Sequence, residues 1–515
     1  MALCVTKKQE LTQRSTEIRY SQIQSLANFD HMKSTSMKCI RILFPALLIT
    51  LFGCRSASDY NQVLEDIQEN LDFGNISTVI QTVDSLKKSD IKNNGFIHVA
   101  DSLAQIAERV GLDFSRTEAQ VNNQIDKILG PVSNEDKLKW EKEGWLEWRM
   151  IDGEKKYFNR AASNLGLLIM FHEQKQKRLL EIADEPEMIF RLDHTEKIIK
   201  TSKNQSNPVV PVKMKITYTI KVHPDAVPDG EKLRCWMPWP KNNYKRQKEI
   251  NLLSTSNPEY QIAPDTAIHS TLFMEESAKK GVPTVFQVSF NYISNGQYFN
   301  MSDIKPLPYD QTSDIYKKYT AEQLPHICFT DNVRQLTDSI TAGDNDPASV
   351  VKKIYFWFKE NIPWTGAFEY SIIPNIPEYV INNKRGDCGM QTFLFLSMLR
   401  YKGIPARWQS GWMMPPEGEN LHDWCEVYYE GTGWVPVDVS YDLQKSENRQ
   451  IQDFYLSGID SYRMIVNDGV NGPLHPGKLH MRSEPNDFQR GEVEWKGSNL
   501  YFDKWDYDMN IEYIK

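Results

Sequence analysis

The hydrophobic repeat of this 515-residue chain changes period near residue 208, from about 3.6 to 2. That change limits the fold to a helical part followed by a part built largely from strands. Over residues 59–200 apolar side chains recur three to four apart, as in Val63-Leu64-Glu65-Asp66-Ile67 and in the set Phe96, Ala100, Leu103 and Ile106. Ile125, Ile128 and Leu129, then Trp140, Trp145 and Trp148 before Asp152-Gly153, predict a small helical unit with a hairpin, read as a packing module or a partner-binding arm. Val212 to Val222 then alternates strictly, and Thr284 to Phe290 alternates again. With Pro228-Asp229-Gly230 and Asn295-Gly296 read as turns, the stretch 206–305 predicts an antiparallel β-sandwich. Trp236, Pro238, Trp239 and Pro240 crowd one loop, packed at a domain joint or lining a carbohydrate or peptide surface.

Residues 306–465 hold the candidate chemistry. A helix is predicted over Val350 to Glu360, and the proline- and aromatic-containing stretch Asn361 to Arg385 reads as a loop walling a cleft. In Gly386-Asp387-Cys388-Gly389, Asp387 is a helix cap, and flanking glycines let backbone approach a ligand. The helix runs to Gly403, with Pro405 forbidding its extension, so Cys388 lies in the first turn. Unpaired N–H groups there favour a thiolate and face an oxyanion. His422 falls 34 residues later in a strand whose alternation groups it with Trp424, Glu426 and Tyr428, and sets Asp423 and Cys425 on the other face. Asp438 closes the next apolar strand, 16 residues after His422, and needs a buried partner. Nδ1–H of His422 would supply it, leaving Nε2 toward sulfur. Asp423 and Asp442 are rival orienters, the first on the wrong face and the second beyond the strand end. Residues 466–515 finish as a C-terminal β extension packed on the core.

Gly386-Asp387-Cys388, the helix after it, Gly403-Ile404-Pro405-Ala406-Arg407, His422-Asp423-Trp424-Cys425-Glu426-Val427 and Gly433-Trp434-Val435-Pro436-Val437-Asp438 together resemble the transglutaminase-like superfamily core over residues 345–445. The resemblance implies a papain-like arrangement, with the Cys helix packed on an antiparallel sheet inside a multidomain α+β chain. It implies Cys388 as nucleophile, His422 as base and Asp438 as orienter. Gly386, Asp387, Trp424 and Trp434 are structural neighbours of such a site, and Trp364, Tyr370 and Glu426 are candidates for its oxyanion or cleft positions. The expected reaction is thiol-dependent hydrolysis of a peptide or amide bond through a thioester. The alternatives are glutamine transamidation and a non-catalytic envelope-binding scaffold. A peptide, protein or cell-wall peptide is the expected substrate.

The segment before residue 55 reads as an export signal. Lys38 and Arg41 precede an apolar run of about eleven residues, short of the roughly 20 a membrane span needs. The run ends in Leu51-Phe52-Gly53-Cys54, which resembles a bacterial lipoprotein signal with Cys54 as the lipidated N-terminus. Surface-export signals of the Bacteroidetes resemble an acidic run after that Cys. Arg55-Ser56-Ala57-Ser58-Asp59 lacks one, so a periplasm-facing anchor on the outer membrane is expected. The helical region then covers 55–205. Removing residues 1–53 takes away seven basic and three acidic side chains, so the net charge of −8 becomes about −12, which disfavours nucleic acid as a partner. The four cysteines beyond Cys54 are too few for a disulfide-built scaffold, although a Cys235–Cys328 bridge is conceivable. No Cys/His spacing suits zinc, so neither metal nor cofactor is expected.

Overall fold

The computed structural model describes residues 57–176, 186–203 and 207–514. The expected signal and Cys54 lie outside them. No helix among the described residues is long and apolar enough to cross a membrane. The chain forms two compact units, Met1–Ser163 and Asn164–Lys515, in an α+β arrangement.

In the first unit, α1 (Ala57–Asp72), α2 (Ile76–Lys87) and α3 (Asn94–Asp113) pack through one stripe each. On α2 the buried positions are Ile76, Val79, Val83 and Leu86, the spacing that an amphipathic helix presents to a core. α4 (Glu118–Leu129) opens on a reciprocal cap between Thr117 and Gln120. After α5 (Asn134–Lys142), β1 (Trp148–Ile151) and β2 (Glu154–Tyr157) form the expected hairpin. Asp152 and Gly153 both take positive φ at its turn.

The second unit begins within α6 (Ala161–Gln176), followed by α7 (Pro186–Ser202) and then the strands β3 (Val209–Val222), β4 (Lys232–Pro238), β5 (Gln247–Thr255), β6 (Tyr260–Ile262), β7 (Thr271–Ser277) and β8 (Thr284–Tyr298). These make parts of two antiparallel sheets whose inner faces share one apolar cluster, including Ile216, Tyr218, Trp236, Met274 and Phe290. Trp236 and Trp239 are buried in that cluster, so the tryptophan loop is packing and offers no exposed aromatic surface. The Asn295-Gly296 pair does not turn the chain. It lies inside β8, where Gly296 pairs with Val209. A Cβ on Gly296 would stand 2.5 Å from Ile198 Cδ1 on α7. This glycine therefore serves close packing, a use that the dipeptide pattern does not distinguish from a turn.

The C-terminal segment is more than an appended extension. β14 (Glu492–Trp495) pairs with β4, β15 (Ser498–Leu500) pairs with β14, and β16 (Trp505–Ile514) runs along β3 from Trp505↔Val222 to Ile514↔Lys213. Chain far downstream thus completes both sheets begun by residues 209–298. Cys235 and Cys328 are buried free thiols with no bridge between them.

Between these strands lies the segment that carries the candidate site. It contains α8 (Asp314–Tyr319), α9 (Asp331–Thr341), α10 (Pro347–Asn361), α11 (Ile376–Asn383) and α12 (Cys388–Tyr401). It continues with β9 (Ala406–Met413), β10 (Asn420–Tyr429), β11 (Gly433–Val437), α13 (Arg449–Gln452), β12 (Gly458–Ile459) and β13 (Arg463–Asn467). The expected loop 361–385 contains a 3₁₀ turn at Tyr370–Ile372 and the helix α11. Pro377 falls in the first turn of α11, where its missing N–H costs nothing, and Asn375 caps that turn through the Glu378 N–H. Proline opens this helix instead of forbidding it. The four-stranded antiparallel sheet runs β11-β10-β9-β13, and α12 packs on β10 and β9. Cys388 through Arg400 are all buried, so α12 is enclosed on every side.

Candidate active site

α12 starts where the sequence places it. The Asp387 side chain accepts the Met390 N–H at 3.0 Å, and Tyr370 Oη donates to the same carboxylate oxygen at 2.6 Å. The approach to this turn is held by a short parallel bridge between Trp364 and Gly386, and by Gln391 Nε2 donating to the Gly386 carbonyl at 2.9 Å. Gly389 answers to crowding, since a Cβ there would lie 2.1 Å from Tyr370 Oη and 2.8 Å from Asp423 Oδ2. Trp364 is 42% exposed beside this turn, whereas Tyr370 is buried.

His422 and Asp438 meet across the β10–β11 pair, with imidazole Nε2 2.7 Å from Asp438 Oδ2. The ring is reversed relative to the expected tautomer. Nε2 faces the carboxylate, and Nδ1 is the nitrogen left over. The reversal follows from where Asp438 lies, across from the far nitrogen of the ring, which alternation along a strand does not determine. Asp438 also receives Arg463 Nη1 at 2.9 Å, Ser440 Oγ at 2.9 Å and the N–H groups of Ser440 and Tyr441 at 3.2 Å. Burial alone would raise its carboxyl, but His422 and Arg463 overcome that and hold it well below the usual carboxylate range. Trp424 stacks near the imidazole, with ring centroids 6.2 Å apart, and donates Nε1–H to Gln409 at 2.7 Å. Tyr441 meets the same imidazole edge-on at 6.0 Å.

Cys388 lies against the residue next to His422. Its Sγ–H donates to Asp423 Oδ2 at 3.3 Å, and both side chains are buried. Strand alternation sorts consecutive side chains by sheet face, but does not say which one meets a helix docked near the start of the strand. Asp423, set aside as lying on the wrong face, is therefore the carboxylate that reaches the thiol. Its other oxygen accepts Gln489 Nε2 at 2.7 Å, and the same amide nitrogen donates to the His422 carbonyl at 2.9 Å. Burial, and then Asp423 and Asp387, push the Cys388 thiol well above its ordinary value. This reverses the expectation of a thiolate favoured by the helix end. The helix end is already served by the Asp387 carboxylate, and the remaining surroundings are acidic and dry.

Glu426 shares the His422 face of β10 but is engaged elsewhere. Arg407 holds it through Nε at 2.7 Å and Nη2 at 2.6 Å, and stacks on Trp434 with 4.1 Å to the ring centroid. Both nitrogens meet one Glu426 oxygen, and the pair links β9 to β10 at paired positions of the sheet. Cys425 points to the Val437 carbonyl, 3.5 Å away. Asp442, the other rival orienter, is not among the partners of His422.

Sequence reasoning did not single out three side chains that shape the site. Arg463 opens the buried strand β13 and joins Asp438 to Asp460, with Nε 2.9 Å from Asp460 Oδ2. Lys359 is half-buried and donates to the carbonyls of Val439, at 2.5 Å, and Tyr441, holding the chain just after Asp438. Burial pushes its ammonium down to about 8. Gln489 comes from the C-terminal segment. An arginine leading an apolar run such as Arg463-Met464-Ile465-Val466 is a legible sign of a buried ion pair, whereas Gln489 carries no local signal.

Residues 334–439, which hold Cys388, His422 and Asp438, match the model of the transglutaminase-like superfamily, and the fold of this segment is transglutaminase-like. Two curated proteins are similar to part of the chain. Protein-glutamine gamma-glutamyltransferase of Pseudomonas aeruginosa is 24% identical over 190 residues, covering 33% of this chain and 26% of that protein. The uncharacterized protein YebA of Bacillus subtilis is 24% identical over 188 residues, covering 32% and 25%. The chain thus spans about a quarter of the length of these relatives. Among solved structures, a candidate cysteine protease from Cytophaga hutchinsonii aligns over 60% of this chain and 92% of its own, with 13% identity and a TM-score of 0.41. The periplasmic domain of TgpA from Pseudomonas aeruginosa aligns over 51% and 94%, with 14% identity and a TM-score of 0.22.

Proposed function

We propose that this chain is a thiol-dependent hydrolase of peptide or amide bonds, with Cys388 as nucleophile, His422 as base and Asp438 as the group that orients the imidazole. The observation that carries this reading is the buried 2.7 Å contact of His422 with Asp438, on the strand pair next to which α12 brings the Cys388 thiol. Asp438 is ionised, so Nε2 carries the proton of that contact and Nδ1 keeps the lone pair for the thiol proton. The thiol, resting on Asp423, turns about its Cα–Cβ bond to give its proton to Nδ1. Sulfur then attacks the substrate carbonyl, a thioester forms as the C–N bond breaks, and the imidazolium returns the proton to the leaving amine. Water, deprotonated by the same imidazole, releases the acid and restores the thiol. Backbone N–H groups at the start of α12 stabilise the oxyanion. The Tyr370 hydroxyl is spent on Asp387, which makes it a positioning residue, and Trp364 is the cleft-side candidate for contact with substrate. The sequence supports an exported protein anchored through Cys54 and facing the periplasm, where cell-wall stem peptides and imported polypeptides are accessible amides.

Likeness to a protein-glutamine gamma-glutamyltransferase favours a second reading, in which a primary amine takes the place of water. One assay separates the two. The protein is incubated with peptide and cell-wall fragment libraries, with and without a primary amine, and products are weighed by mass spectrometry. Cleavage or deamidation that vanishes in Cys388→Ala supports the hydrolase, and amine-dependent mass gain supports the transferase. Identical products from wild type and Cys388→Ala sink both, leaving a binding scaffold.

A further inference from the structure

Of the two oxygens of Asp423, a residue from the far end of the chain decides which can carry a proton. Gln489 Nε2 lies 2.9 Å from the His422 carbonyl, a group that only accepts, so the amide presents its nitrogen there and not its oxygen. The same nitrogen is 2.7 Å from Asp423 Oδ1. Oδ1 is therefore an acceptor, and any proton on this carboxyl sits on Oδ2. Gln489 is buried and its backbone is pinned, with its N–H on Glu484 at 2.7 Å and its carbonyl on the Trp412 indole at 2.9 Å.

Asp423 keeps that proton because, among the described residues, no cation meets it. Its side chain contacts the Gln489 amide and the Cys388 thiol. Burial, then the charges of Asp487, Asp387 and Glu484, push its carboxyl up. Arg490, which acts on Glu484 and Asp487, pairs with Glu369 at 3.2 Å and with Glu484 at 3.5 Å. His422 directs its ring to Asp438. A carboxyl 2% exposed in such company is more stable neutral, and a neutral acid is a hydrogen-bond donor.

Position gives this donor a target. Oδ2 lies 3.3 Å from Cys388 Sγ and 2.8 Å from where a Cβ on Gly389 would stand, so it faces the first turn of α12. In the tetrahedral adduct of a thiol and an acyl group, the oxyanion is two bonds from sulfur. When the thiol turns to the imidazole, the place it leaves is within reach of that oxygen, and Oδ2 already stands beside the place. Tyr370 donates instead to Asp387, at 2.6 Å.

We propose that Asp423 is a catalytic residue whose Oδ2–H donates to the oxyanion, beside the backbone N–H groups of α12. Its part in turnover rests on Cys388 being the nucleophile proposed above. As the sulfur electron pair forms the C–S bond, the carbonyl π pair moves onto oxygen, where Oδ2–H meets it. The proton is donated in a hydrogen bond and is not transferred. When the C–N bond breaks, the pair returns to the carbonyl and Asp423 is left as it began.

The test sets a reaction that passes through an oxyanion against one that does not. Acylation of Cys388 by p-nitrophenyl acetate and its alkylation by iodoacetamide are timed on the full chain at neutral pH, with Cys388→Ala as background. Asp423→Leu should slow acylation at least about tenfold more than alkylation. Asp423→Asn should recover most of that loss, because Gln489 holds the amide oxygen in the Oδ1 place and leaves the NH2 group toward the site. Equal effects of Asp423→Leu on both reactions, or an Asn variant no better than the Leu variant, overturn the donor and leave Cys388 as nucleophile. Wild type that takes up neither reagent at Cys388 overturns the thiol reading and, with it, the part of Asp423 in turnover. One measurement needs no variant. In an atomic-resolution crystal structure of the wild type at neutral pH, the Cγ–Oδ2 bond should be longer than Cγ–Oδ1, and equal lengths overturn the donor.

Discussion

Two buried aspartates on neighbouring strands of one sheet are driven in opposite directions. Asp438 lies on the side where Arg463 supplies positive charge and His422 a hydrogen bond, and its carboxyl is held low. Asp423 lies on the side shared with Asp487, Asp387 and Glu484, and burial followed by those carboxylates drives it well above the usual range. Both groups are buried to a similar degree. Burial alone therefore does not decide the charge state, and the nearest cation does. One sheet thus keeps an ionised acid beside the imidazole and a proton-retaining acid beside the thiol.

The comparison breaks most visibly at Asp438. Asp438→Asn should leave the fold intact and slow turnover by about 10²–10⁴, since the amide no longer fixes the imidazole tautomer. A loss under threefold, measured as kcat on a substrate found by the library assay, would remove Asp438 from the mechanism. Arg463→Met tests the cation on the same side. It leaves Asp438 and Asp460 buried without their shared partner, and should cost about 3–5 kcal/mol in urea unfolding. A stability within about 1 kcal/mol of wild type would show that His422 and the hydroxyl and N–H groups suffice for Asp438. On the thiol side, Gly389→Ala puts a methyl group where Tyr370 and Asp423 already crowd the helix turn, at an expected cost of about 1–3 kcal/mol. Restoration of stability in the double variant with Tyr370→Phe would assign that cost to the hydroxyl contact.

The half of this comparison that was legible in the sequence is the Asp438 half. A carboxylate closing an apolar strand announces a buried partner, and only one histidine stands in that part of the chain. The helix cap at Asp387 and the strand bearing His422 were readable from local chemistry in the same way. The Asp423 half depended on which residue of a strand meets a docking helix, and on Gln489 and Asp487, which arrive from the C-terminal segment. Long-range arrivals also explain why the pairing of β16 with β3 escaped notice. Residues 505–513 alternate strictly, with Trp505, Tyr507, Met509, Ile511 and Tyr513 set between Asp506, Asp508, Asn510 and Glu512, so the strand was legible and only its distant partner was not. Pro377 misled for a local reason, because a proline marks a helix start as readily as a helix end.

The smallest expected effect is in the pH dependence of stability, and there the two aspartates oppose one another. The Asp438 carboxyl is held low in the fold, so the stability it contributes is present above the unfolded carboxylate value of about 3.9 and is lost as pH falls through the folded value. The Asp423 carboxyl is held high. The fold's preference for that proton is fully present below about 3.9 and is lost as pH rises through the folded value. Wild type should therefore lose some stability between mildly acidic and neutral pH on account of Asp423, at about 1.4 kcal/mol for each unit by which the two states differ. Asp423→Asn removes this component while keeping an amide that can still meet Gln489 and the thiol. Part of the decline should persist, because burial also pushes up Glu484 and, together with the Glu484 carboxylate, Asp487. Urea midpoints followed across that range should thus fall less steeply for the variant than for wild type. A variant whose stability profile runs parallel to wild type would show that Asp423 is ionised like Asp438 and that the contrast between the two sides of the sheet does not hold.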